Sequence, residues 1–409
     1  MSSIALQAPD PSTGPRVTNL LSEHMPMAHD RHGRRSMPAF GFEFSREEVE
    51  VKVPVVGAAL LCVAGLVAYI VLSAPSSGVA GPPSGGVGSV SVVGGVQSRS
   101  TDPVRLPVIG QRPLVGITVP TTGDLDRFIA ATGTTPDVVG VFEDWSLDRP
   151  LQRDIADTVA ARGSRLVLTW EPWDSAAQSV SQPRYSLESI ADGSHDRYID
   201  VFARSVKAYP HEVVVRFMHE MNGFWYPWAS GAKGNTPEEY VRAWRHVHER
   251  FARLGVSNVR WMWAPNAVYP GAGDLRRLYP GDAYVDRIGI SAYNWGARRH
   301  DGVLTRWQGF ESLFEPTIDR VRRFSDKPVW VAEVGSTSSG GSKAAWIGSM
   351  FADLRSSREI AGVIWFDIHD TNQNADWRIE TESDAVRAWT RGFAARRWTD
   401  NQEGAAQWR

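Results

Sequence analysis

Beyond Pro103 the chain alternates short β-branched and aromatic runs with stretches of helical period. The runs predict strands over Leu114–Val119, Val138–Phe142, Arg165–Trp170, Val213–Met218, Val259–Trp263, Arg287–Ala292, Val329–Ala332 and Ala361–Phe366. The amphipathic stretches predict helices over Leu125–Ala131, Leu151–Ala161, Arg197–Ala208, Pro237–Leu254, Leu313–Phe324, Lys343–Arg355 and Asp384–Ala395, with a short one over Leu275–Leu278. Helix starts carry their usual signals: Thr236-Pro237-Glu238-Glu239 offers an N-cap, a first-turn proline and a capping box. Strands alternating with helices call for a parallel sheet with helices on its faces. Eight such pairs over roughly 285 residues favour a closed α/β barrel, the (β/α)8 TIM barrel, over an open doubly wound sheet. No GxGxxG follows the first strand, which weakens a dinucleotide-binding reading.

The N-terminal quarter follows another pattern. Val53 to Ala74 reads VPVVGAALLCVAGLVAYIVLSA, without one charge. As a helix it would reach ~33 Å, enough for the ~30 Å hydrocarbon core of a bilayer, so a transmembrane signal-anchor is expected over residues 53–74. Arg34, Arg35, Arg46 and Lys52 precede it closely, whereas the first basic residue after it is Arg99. Basic residues stay on the cytoplasmic side, so residues 1–52 are expected to be a disordered cytoplasmic tail. The rest of the chain would lie outside, membrane-bound, or secreted if the anchor is cleaved. Residues 75–103, rich in Gly, Ser and Pro, read as a flexible linker. The folded domain then occupies residues 104–400, with a polar tail at 401–409.

Composition narrows the chemistry. The 409 residues carry 44 Lys+Arg against 46 Asp+Glu, a net charge of −2, which leaves no electrostatic footprint for nucleic acid. A single cysteine, Cys62, excludes an intramolecular disulfide framework and a thiolate-rich zinc site. His246 and His248 lie two apart on a predicted helix, pointing to different sides, and no HExxH occurs, so neither metal nor cofactor is expected. GxSxG is absent as well. All seventeen tryptophans lie at or beyond Trp145.

In such a barrel the chemistry sits at the C-terminal ends of the strands. Those ends are polar and aromatic: Glu143-Asp144-Trp145, Trp170-Glu171-Pro172-Trp173-Asp174, His219-Glu220-Met221-Asn222, Trp263-Ala264-Pro265-Asn266, Tyr293-Asn294-Trp295, Glu333, and Trp365 with Asp367. Glu220 and Glu333 each terminate an apolar strand. Strand alternation places Arg216, Met218 and Glu220 on one face of the fourth strand, and Val331 with Glu333 on one face of the seventh. Two glutamates projecting into one mouth can serve a glycosidic bond as proton donor and nucleophile; the alternative is that each is a buried carboxylate held by a partner such as Arg216. Trp173, Trp225, Trp228, Trp295 and Trp365 are candidates to stack on sugar rings, while Trp244, Trp346 and Trp389 fit helix packing. Glu143, Asp144, Glu171 and Asp174 suit either sugar hydroxyls or loop caps.

The segments VRFMHEMNGFWYPW and PVWVAEVGS together resemble glycoside hydrolase family 26, a family of retaining (β/α)8 glycosidases best known for β-mannanases. The resemblance runs from about Pro113 to Arg397. It implies that Glu220 is the acid/base and Glu333 the nucleophile. It also implies that His219 lies in the active site, that Trp225 lines the sugar pocket, that Tyr293 hydrogen-bonds the nucleophile and that Trp365 forms an aromatic platform. With Asn222, Glu171 and Trp173 these make the expected substrate-binding set. The implied activity is that of a retaining, endo-acting β-glycosidase on a β-linked polysaccharide, β-mannan first, although strand three carries Glu171 where mannanases commonly show histidine. A tethered carbohydrate-binding barrel with little catalysis, and a hydrolase editing an exported bacterial exopolysaccharide, remain open at this point. The sequence names no protein partner.

Overall fold

The computed structural model describes residues 113–398, apart from 178, 233, 301, 302 and 372. The expected tail (1–52), membrane span (53–74), linker (75–103) and polar end (401–409) lie outside the described residues. Among the described residues no helix is long and apolar enough to cross a membrane.

Eight strands close into a barrel: β1 (Leu114–Thr118), β2 (Val138–Asp144), β3 (Arg165–Glu171), β4 (Val213–Phe217), β5 (Val259–Trp263), β6 (Arg287–Asn294), β7 (Val329–Ser336) and β8 (Ile360–Phe366). Their order is β1-β8-β7-β6-β5-β4-β3-β2, with every pairing parallel. The outer layer comprises α1 (Thr122–Thr132), α2 (Arg153–Ala161), α3 (Leu187–Ala191), α4 (Asp196–Lys207), α5 (Pro237–Arg253), α6 (Phe310–Arg322), α7 (Lys343–Ser356) and α8 (Ser383–Trp398). The capping box at Thr236 forms with both of its reciprocal hydrogen bonds to Glu239. The expected helix over Leu275–Leu278 does not form; the β5–β6 connection runs through turns. Gly271 and Gly273 before it and Pro280 after it leave too short a stretch to nucleate a helix. Leu275 and Leu278 are buried all the same.

Two apolar layers result. Leu114, Val167, Val214, Met262, Trp330 and Ile364 help to fill the barrel interior, and a larger cluster packs the strands against the helices. The interior admits the indole of Trp330 because Gly362 faces it, where a Cβ would come within 2.5 Å of the ring.

Two departures from strand regularity shape the mouth. β7 carries an extra residue relative to both neighbours: Ile290 pairs with Val331 but Ser291 with Glu333, and Val363 pairs with Val331 but Trp365 with Val334. This bulge breaks the alternation. Val331 joins the helix-facing cluster and Ala332 the interior one, yet Glu333 also turns inward, where it meets Arg216 and Tyr293. The expectation that Val331 and Glu333 share a face is therefore corrected. β4, expected to run through Met218, stops at Phe217. Met218 (φ 43°) and Glu220 (φ 53°) are left-handed, so simple alternation does not carry Glu220 to the mouth either.

Candidate active site

A left-handed backbone at a non-glycine residue costs about 1–3 kcal/mol and persists only where the surroundings over-determine it. Here they do. The Met218 carbonyl accepts from Tyr240 Oη at 3.1 Å, the His219 carbonyl from Trp228 Nε1 at 2.7 Å, and the Glu220 N–H donates to the Ala264 carbonyl at 2.6 Å. The β4 loop is thus pinned to α5, to its own continuation and to the end of β5.

The side chain of Glu220 emerges among neutral donors. Asn266 Nδ2 donates to Oε1 at 3.1 Å and Trp225 Nε1 to Oε2 at 2.8 Å. Burial, and then the charge of Glu333, push the Glu220 carboxyl up to about 7, against the opposing pull of these two donors and of Arg216. Glu333 is surrounded differently. Arg216 Nη2 donates to its Oε1 in a buried ion pair, and the Tyr293 hydroxyl donates to its Oε2. Arg216 is itself held by Thr169 Oγ1 on β3 at 2.9 Å. Burial alone would lower the pKa of Arg216, but the charge and hydrogen bond of Glu333 outweigh it and hold the guanidinium above its ordinary value. Burial, followed by the charges of Glu333 and Glu220, raises Tyr293 well above a normal phenol, so it stays a donor.

His219 is buried among Phe142, Tyr226 and Trp228, with Nδ1 3.8 Å from Glu171 Oε1. Burial, with help from Arg216, lowers its pKa well below normal. Glu171 is fully buried, and burial followed by the charge of Asp144 raises it well above a normal carboxyl. Both shifts favour the neutral forms, and both side chains are buried behind the mouth beside β3 rather than presented in it, so the expectation that they contact substrate is corrected.

The expected site residues divide. Glu220, Glu333, Trp225 and Tyr293 come together at the C-terminal mouth, with His219 and Glu171 buried behind it. Asn222 does not reach out for a ligand: it is buried, its Oδ1 accepts from the Asn266 N–H and its Nδ2 donates to the Asn266 carbonyl, both at 2.8 Å. It positions the residue that holds Glu220. Trp173 is buried against Tyr226 and Trp228, and Trp228 is buried too, so neither offers a face. Trp365 is likewise corrected. Ile364 points into the barrel, so Trp365 points to the helices, where it is 0% exposed, packs on Trp346 and Trp389 and donates to the Trp377 carbonyl at 2.8 Å. Glu143 and Asp144 serve loops: Glu143 accepts from Arg149 and Gln152, and Asp144 from Ser146 and Ser175. His246 lies on α5 and contacts Asp196, as a helix-surface residue would. Among the described residues no three His, Cys, Asp or Glu side chains group as a metal-binding set.

Asn266 and Tyr269 were not in the expected substrate-binding set. Asn266 had one signal, its position just beyond β5. Tyr269, half-buried and stacked on Trp225 with ring centroids 6.1 Å apart, had none.

Two inward carboxylates at the C-terminal mouth of a parallel (β/α)8 barrel are the arrangement of a glycoside-hydrolase barrel. Residues 173–309 match the sequence model of Glycosyl hydrolase family 26. Endoglucanase H of Acetivibrio thermocellus is 36% identical over 282 residues, 68% of this chain and 30% of that protein. β-1,3-Xylanase TXYA of a Vibrio species is 29% identical over 210 residues, 49% of this chain and 42% of that protein. A modular endo-β-1,4-mannanase from Cellulomonas fimi shares the fold, with a TM-score of 0.53 and 20% identity over 70% of each chain. The chain belongs to glycosyl hydrolase family 26. It spans less than half the length of the two curated relatives, 30% and 42%.

Proposed function

We propose that the barrel is an O-glycosyl hydrolase that cleaves within β-linked polysaccharide chains with retention of configuration. The observation that carries the reading is the unequal dress of the two glutamates. Glu333 is paired with a guanidinium and a phenolic hydroxyl, which favours the carboxylate a nucleophile needs. Glu220 is held by an amide and an indole and pushed up to about 7, which favours the proton an acid needs.

In the first step a Glu333 oxygen attacks the anomeric carbon. The bond to the bridging oxygen breaks, and that oxygen leaves with its electron pair and the proton of Glu220. Glu220 has given up its proton, and esterified Glu333 no longer sets a like charge against the ionised form, so Glu220 stands as a carboxylate and serves as base. It removes a proton from water, the water oxygen attacks the same carbon, and Glu333 departs. Arg216 and Tyr293 hold Glu333 in place.

For substrate, a β-glucan stands ahead of the β-mannan expected from the motif resemblance, because the relative matched over 282 residues at 36% identity is named an endoglucanase. The reading extends to place. The uncharged stretch 53–74 would anchor the chain, with the barrel outside the cytoplasm on the tether 75–103, as the Lys and Arg asymmetry favours.

The test is digestion of β-glucan, β-mannan and β-1,3-xylan, with the first product followed by proton NMR. The β anomer should appear before mutarotation; an initial α anomer would overturn retention, and no product from any polymer would overturn the activity.

A further inference from the structure

We propose that Phe224 is a sugar-binding platform on the leaving-group side of the cleavage point, taking a pyranose ring of the departing chain beyond the one next to Glu220. The inference rests on the reading of Glu220 as the proton donor and adds a site to it.

Val201, Phe224 and Leu304 are the exposed large hydrophobics among the described residues, and Phe224, 56% exposed, is the aromatic one. A lone exposed ring needs no explanation, but this one is not alone. It meets Trp225 edge-on, centroids 5.1 Å apart, and Trp225 stacks on Tyr269. Trp225 in turn donates to Glu220. An aromatic surface therefore runs without a break from the proton donor outward to solvent.

The loop that carries it is fixed. Gly231 N–H donates to the Gly223 carbonyl at 2.9 Å, Ser230 N–H to the Met221 carbonyl at 2.7 Å, and Asn235 Nδ2 to the carbonyls of Pro227 and Ala229. A Cβ at Gly231 would lie 2.9 Å from the Cβ of Phe224, so the glycine lets the two limbs of the loop close. A phenyl ring held in water by a rigid loop is preorganised for an apolar face, and the CH-rich face of a pyranose supplies one.

Direction follows from the chemistry. Glu333, Arg216 and Tyr293 cluster where the attacked ring must lie, and the proton donor stands beside the bridging oxygen. The departing sugar then leaves along the Glu220 flank, past Trp225, and Phe224 is the next ring outward. Binding on both sides of the cleaved bond suits endo action, and the same platform would receive acceptor sugars.

Wild type, Phe224→Ala and Phe224→Trp are compared on cellohexaose and 4-nitrophenyl β-cellotrioside, and on the matching manno compounds. For Phe224→Ala, kcat/KM on the hexaose should fall about tenfold, several-fold more than on the aryl trioside, which lacks leaving-group sugars; Phe224→Trp should restore the hexaose. The alkaline limb of the hexaose profile should stay near 7, showing that Glu220 is still held. Equal losses on both substrates, or none on the hexaose, would overturn the platform. A wild type that cleaves neither series, and no β-1,3-xylan either, would overturn the glycosidase reading instead. Calorimetric titration with the two hexaoses then decides the platform: weaker binding to Phe224→Ala supports it, and equal affinity overturns it.

Discussion

The two walls of the barrel mouth hold chemically identical side chains in opposite ways. On the β6–β7 wall, Glu333 sits on a bulged strand with the Arg216 guanidinium and the Tyr293 hydroxyl on its two oxygens. On the β4–β5 wall, Glu220 sits on a left-handed turn and meets two uncharged donors, Asn266 and Trp225. A cation stabilises a carboxylate far more than an amide or indole does in a buried setting. The guanidinium placed against Glu333, together with the burial of Glu220 beside that charge, divides the pair into a charged, ion-paired member and a protonatable one.

The largest effect should come from removing the charged member. Glu333→Ala should cut turnover at least about 10⁴-fold, with azide restoring part of it as the inverted glycosyl azide. It should also lower stability by about 3–5 kcal/mol, because Arg216 is left buried without a counter-charge. Glu220→Ala should leave aryl glycosides with good leaving groups far less affected than oligosaccharides, whose departure needs the proton. Equal losses on both classes would erase the distinction between the walls.

Next in size is a test of the aromatic surroundings. Trp365→Ala should cost about 3–5 kcal/mol in denaturant unfolding, because its ring packs on Trp346 and Trp389, while oligosaccharide affinity stays as in wild type. Lost affinity in a fully folded variant would return Trp365 to the mouth.

The smallest effect is the most specific to the acid wall. Activity in the acid role needs protonated Glu220, so kcat/KM should decline as pH rises through about 7. The Trp225 N–H favours the ionised form. Trp225→Phe removes that donor, the proton is held to higher pH, and the alkaline limb should move upward. An unmoved or lowered limb would show that the indole does not set the Glu220 proton.

Much of this was legible along the chain, for local reasons. Strands predicted from β-branched runs recur at the observed places because a parallel strand buried on both faces needs a nearly continuous apolar run. The one missing helix, at Leu275–Leu278, was read from two leucines whose burial needs no helix. Glu220 and Glu333 were found because a carboxylate closing an apolar strand is rare enough to stand out. The error over Trp365 came from counting position at a strand end without its parity: Ile364 and Trp365 are neighbours in sequence and opposite in the barrel.

What the sequence determined by itself was the eightfold alternation and the end of the sheet at which polar chemistry gathers, since both follow from local period and chain direction. The tertiary structure decided which side chains enter the mouth and which of the two glutamates carries charge. Glu333 faces inward through an extra residue that is visible only against the registers of β6 and β8. Its guanidinium partner comes from 117 positions away, and the donors to Glu220 lie 5 and 46 positions away. Burial and charge at a site are sums over neighbours in space, and no local stretch of this chain contains the neighbours that make Glu220 and Glu333 different.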